Sequence, residues 1–122
     1  MDLEIALKGM ASSKNALRSQ KGIGSLPYMS EHMDRLAAYT SAVEDHLADF
    51  EYEQEVEERN AYNRAINNKN SPSASEKVAK YEIADVKATI KRLTRLVNSA
   101  WKLVDEKKSR FNHLEKEAKG QV

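Results

Sequence analysis

The sequence predicts an all-α protein: a long antiparallel helical hairpin of coiled-coil type, preceded by a short N-terminal helix and assembled into an oligomeric bundle. Three observations carry this. Apolar residues of the last third fall on two interleaved seven-residue ladders. One runs Ile83, Ile90, Val97, Val104, Phe111, Ala118; the other runs Ala79, Val86, Leu93, Ala100, Lys107, Leu114, with only Lys107 out of pattern. Charged residues make up 32% of the chain and Gly plus Pro number only six, a profile of long helices rather than of disorder. Strong breaking signals are confined to two stretches, 21–27 and 67–74. At 122 residues the chain reads as a single helical domain, 1–122.

Residues 2–20 predict a short amphipathic helix, with Leu3, Leu7, Met10 and Leu17 on one face and Lys14 in the seam. Gly9 and the modest length make it marginal alone, so it must dock on something. Residues 21–27, with Gly22, Gly24 and Pro27, read as a linker or elbow. Gly22-Ile23-Gly24 lacks the third glycine, the preceding strand and the Gly-Lys-Ser/Thr of a phosphate loop.

A long helix is expected over 28–66. Met29, Leu36, Val43 and Phe50 form one ladder, and Met33, Thr40 and Leu47 fill the other, before the seam degrades to Gln54, Glu57 and Ala61. The Asn/Ser/Pro-rich turn 67–74 follows, and Ser73 with Glu76 offers a capping box that opens an unbroken helix over 75–118. Two long helices joined by so short a turn are expected to run antiparallel. Leu96, Trp101 and Leu103 widen the seam of the last helix beyond what one partner helix covers. Self-association is therefore expected through Leu93, Leu96, Val97, Ala100, Trp101, Leu103, Val104 and Phe111.

Charge is unevenly spread. Over 30–66 there are ten acidic against three basic side chains, and over 75–119 twelve basic against seven acidic. Opposite charge on neighbouring segments favours their pairing. Lys87, Lys91, Arg92 and Arg95 are expected to neutralise the acidic stretch, leaving Lys102, Lys107, Lys108 and Arg110 further on as a weaker nucleic-acid candidate. With no cysteine, no run of apolar residues long enough to span a membrane and no signal-peptide pattern at Met1-Asp2-Leu3-Glu4, the expectation is a soluble cytoplasmic protein without membrane partners.

No catalytic chemistry is expected. The three histidines, His32, His46 and His113, fall outside any Glu-x-x-His or His-Glu-x-x-His arrangement, so no enzyme activity, metal or cofactor is assigned. The more suggestive pattern surrounds the 67–74 turn. A hairpin there brings Arg59, Arg64, Lys69, Lys77 and Lys80 together with Tyr62 and Tyr81. Cations that track phosphates, interleaved with rings on which bases stack, form a platform for single-stranded nucleic acid. The plainer reading is that both tyrosines pack the hairpin end while the cations solvate it, and residue types alone favour that one.

The order of features adds a resemblance. Arg59-Asn60-Ala61-Tyr62, a polar turn, Lys77 to Glu82 in the pattern Lys-x-x-Lys-Tyr-Glu, and a long helix carrying Trp101 and Lys108-Ser109-Arg110-Phe111-Asn112-His113 together resemble the small phage recombination mediator proteins, the UvsY type of T-even phages. The similarity covers about residues 28–118, although this chain is less basic and its second helix more acidic. The resemblance implies a helical oligomer in the host-cell cytoplasm that binds single-stranded DNA, contacts a single-strand-binding protein and loads a RecA-like recombinase. It implies that Arg59, Tyr62, Arg64, Lys69, Lys77, Lys80 and Tyr81 grip the strand. The competing expectation is a protein–protein adaptor, host-factor inhibitor or structural coiled-coil protein with no nucleic-acid role.

Overall fold

The computed structural model describes residues 1–19 and 25–120, and these are all-helical. Four α-helices occur among them: α1 (Leu3–Arg18), α2 (Leu26–Asn67), α3 (Pro72–Glu82) and α4 (Ala84–Ala118). Residues 21–24 of the expected elbow lie outside the described residues, whereas Leu26 and Pro27 already belong to α2. Pro27 suits that place because first-turn amides lack intrahelical acceptors and its ring presets φ.

Each boundary has a local cause. Asp2 caps α1, its Oδ1 accepting from the Glu4 N–H at 2.7 Å and the Ile5 N–H at 3.3 Å. Ser19 ends it, extended, with its hydroxyl donating to the Ala16 carbonyl at 2.7 Å. At the end of α2, the Asn70 N–H bonds to the Ala65 carbonyl (3.1 Å) and the Lys69 N–H to the Ile66 carbonyl (2.9 Å). This is the paired Schellman closure, with Lys69 taking the left-handed place at φ 66° that glycine usually fills. The expected Ser73–Glu76 capping box is not the one used. Ser71 Oγ accepts from the Ala74 N–H at 3.2 Å and Pro72 stands at the first helical position, so α3 begins earlier than expected.

The helix expected without interruption over 75–118 is divided at Ile83. This residue sits at φ −94°, ψ 4°, in the sparsely allowed bridge region between α3 and α4. The Ile83 N–H still reaches the Ala79 carbonyl (3.2 Å), and the Ile83 carbonyl still accepts from the Lys87 N–H (2.9 Å). The interruption is therefore one residue long, and it falls where a β-branched side chain is buried, a residue type with restricted freedom in a helix.

The chain divides into two compact units, residues 1–44 with 96–122 and residues 45–95. In the first, α1, the start of α2 and the end of α4 touch pairwise. The Tyr39 ring abuts Gly9, Lys14 Nζ donates to Ser99 Oγ at 3.4 Å, and Trp101 Nε1 donates to Glu44 Oε1. Its core holds Ala6, Met10 and Leu17 from α1, Met29, Leu36, Thr40 and Val43 from α2, and Val97, Ala100 and Leu103 from α4. Each fully buried Leu or Met contributes about 1.5–3 kcal/mol. Thr40 is tolerated because its hydroxyl donates to the Leu36 carbonyl at 2.6 Å. The short N-terminal helix thus finds its support within the chain itself.

The second unit buries Leu47, Ala61 and Ala65 of α2, Ala79 of α3, Ile83 between the helices, and Leu93 of α4. Small side chains predominate, which allows helices to approach closely but leaves little apolar area to bury. Ser75 is also fully buried, and its Oγ has no hydrogen-bond partner.

Candidate nucleic-acid interface

The residues expected to form the strand-gripping platform all belong to the second unit, on α2, the turn and α3. Arg59, Tyr62 and Lys80 line one groove of about 510 Å³, together with Ala79 and three acids, Glu55, Glu58 and Glu76. Those carboxylates were not anticipated there. The spacing of Glu55 and Glu58 with Arg59 and Tyr62 puts them on one face of α2, and Glu76 stands one turn before Lys80 on α3, so the signal was present in the sequence. Inside the groove the two cations are outnumbered, and no surplus positive charge remains.

Arg64 is engaged elsewhere, its Nη2 pairing with Glu82 Oε2 at 2.7 Å. This pair is solvent-exposed, and such pairs contribute only about 0–1 kcal/mol. It does, however, occupy the guanidinium. Lys69 is exposed in the turn in its left-handed conformation. A non-glycine residue there carries about 1 kcal/mol of strain.

Tyr81 stands apart, being 84% exposed and absent from the groove walls. It does not pack the helix end, as the plainer reading of the sequence required. Lys77 lies one turn before it on the same face of α3, Val78 and Lys80 flank it, and all three are exposed. Tyr62, by contrast, is half-buried. Of the seven expected platform residues, then, Lys77, Lys80 and Tyr81 share an open surface, Arg59 and Tyr62 join Lys80 at the groove, and Arg64 and Lys69 stand separately.

Lys87, Lys91, Arg92 and Arg95 form no ion pair with α2 acids among the described residues, so the expected neutralisation is not a matter of direct contacts. Of the expected self-association residues, Leu93, Val97, Ala100 and Leu103 are already buried within one chain. Leu96, Trp101, Val104 and Phe111 are half-buried. Among the described residues no group of three or more His, Cys, Asp or Glu side chains is placed to hold a metal ion, and no helix is long and apolar enough to cross a membrane.

Comparison with protein-family models, curated proteins and solved structures finds no match for this chain.

Proposed function

We propose that this is a non-enzymatic helical protein that binds single-stranded DNA as an accessory of recombination or replication, of the kind its resemblance to the phage mediators implies. In this reading residues 45–95 form an antiparallel hairpin, and α3 presents the strand-gripping surface. The observation that supports it best is the tyrosine on the outer face of α3, Tyr81, standing 84% exposed beside Lys77 and Lys80. A ring left open to solvent one turn from the exposed Lys77 offers a stacking surface next to phosphate-neutralising charge. Lys69, held at a strained backbone position in the turn, supplies a further cation. Self-association uses what one chain leaves uncovered of the α4 stripe, namely Leu96, Trp101, Val104 and Phe111. The partners on this reading are a RecA-like recombinase and a single-strand-binding protein, in the host-cell cytoplasm.

The test is fluorescence anisotropy with a labelled oligothymidylate at two salt concentrations. Affinity should fall steeply with salt. Tyr81→Ala should cost about 1–3 kcal/mol, the contribution of one stacked base. Absence of binding at low salt, or binding indifferent to salt, rejects the reading.

A second reading, a protein–protein adaptor, is favoured by one observation. Met33, Ala37, Val104 and Phe111 line a mainly apolar groove of about 310 Å³, with Asp34, Lys108 and Asn112 at its margin. A protein partner retained from lysate after nuclease treatment, with no DNA bound, selects the adaptor.

A further inference from the structure

In the first unit, Arg18 at the end of α1 lines a pocket of about 400 Å³ with Ser99, Lys102, Leu103, Glu106 and Lys107 of α4. The wall is mostly polar. Lys14, one turn before Arg18, reaches the same place from behind, its Nζ donating to Ser99 Oγ at 3.4 Å. Lys14 is only 9% exposed. Four cations therefore converge here against a single acid, Glu106.

Direct ion pairs do not offset this charge. Among the described residues, Arg18, Lys102 and Lys107 take part in no ion pair, and Glu106 makes none with Lys102 although the two stand four residues apart on α4. Lys14 and Arg18 are like charges at i, i+4, a destabilising spacing on a helix. Burial and the neighbouring Arg18 both lower the Lys14 pKa, so its ammonium is held at a cost. A compact anion would remove that cost. Arg and Lys provide the directed donors that phosphate oxygens accept, and the Ser99 hydroxyl adds a neutral one.

We propose that the α1–α4 pocket walled by Arg18, Ser99, Lys102 and Lys107 and backed by Lys14 is a binding site for a multiply charged phosphate. The group is either a free polyphosphate or the backbone of a polynucleotide. The same contacts tie α1 to α4, so an occupied site also strengthens the docking of α1. This proposal does not depend on the surface around Tyr81, which belongs to the other unit.

The experiment uses the full chain and sodium pyrophosphate as probe, with sodium chloride at matched ionic strength as control. Calorimetric titration gives affinity and thermal unfolding gives stabilisation. Pyrophosphate should raise Tm above the chloride control. The double variant Arg18→Gln/Lys102→Gln should weaken binding about tenfold or more, the scale of lost charge-assisted bonds. Its unliganded Tm should not fall, because the substitutions remove mutual repulsion. Glu106→Gln should tighten binding, and Lys116→Gln, an exposed cation outside the pocket, should leave it unchanged. No stabilisation over chloride, or equal affinity in the double variant, overturns the proposal. Displacement of bound pyrophosphate by oligothymidylate identifies backbone phosphate as the source, and failure to displace it identifies a free polyphosphate. Oligothymidylate binding without any pyrophosphate binding counts against the pocket.

Discussion

The Tyr39 ring rests directly on the backbone of Gly9, so a Cβ added at Gly9 would run into Cε1, Cδ1 and Cζ of that ring. Glycine in a helix interior costs about 1 kcal/mol relative to alanine. Here the missing side chain is what lets α1 and α2 approach. Two effects oppose each other in Gly9→Ala, a propensity gain of about 1 kcal/mol and an overpacking loss of about 1–3 kcal/mol. Because the contact involves ring atoms rather than the tip of a long side chain, loss should prevail. Urea unfolding followed by circular dichroism should show Gly9→Ala less stable than the parent, with Tyr39→Leu restoring part of the difference.

Lys69→Gly separates strain from function. Relief of the left-handed strain should raise stability by about 1 kcal/mol. On the proposed function, loss of the Lys69 cation should at the same time lower single-stranded DNA affinity and reduce its salt dependence. Thermal unfolding and anisotropy on the same preparation read both signs at once.

Lys14 predicts an alkaline gain in stability. Burial first, and then the Arg18 charge, depress its pKa in the folded chain below that of the unfolded chain. Between those two values the unfolded chain binds the extra proton, so unfolding free energy rises with pH across the window below the usual lysine value of 10.5. Lys14→Met should be more stable than the parent by about 1 kcal/mol at neutral pH. It should also lose the rise, as measured by denaturant midpoints from pH 7 to 10.

Ser75 is buried with an unpartnered hydroxyl. Ser75→Ala removes a desolvated group without leaving a large void and improves helix propensity. It should stabilise the protein by about 1 kcal/mol, read from the shift in urea midpoint at constant slope.

Much of the helical pattern was legible because burial follows the heptad. Met29, Leu36, Thr40, Val43 and Leu47 in α2, and Ala79, Ile83, Leu93, Val97 and Ala100 in the last third, are the buried positions that the ladders name. Even the polar interruption at Lys14 lies in the seam. What was not legible depends on competition between neighbouring signals. Ser71-Pro72 outcompeted Ser73 as the start of α3, since a preset proline φ and a cap act together. The division at Ile83 follows from one backbone conformation, which periodicity cannot register. At the candidate interface the sequence supplied the cations and rings but not their separation. Which side of α3 faces Glu55 and Glu58 depends on the packing of Ala79, so Lys80 reaches the acidic groove while Tyr81 turns outward.

The alanine-rich core of residues 45–95 has a consequence for how the molecule breathes. With Ala61, Ala65 and Ala79 where residues 1–44 and 96–122 place Met10, Leu17, Met29 and Leu36, less apolar surface resists opening. Deuterium should therefore enter the amides of Ala61 and Ala79 well before those of Leu36 and Val97. The unit that carries Tyr81 then opens at lower cost than the three-helix unit.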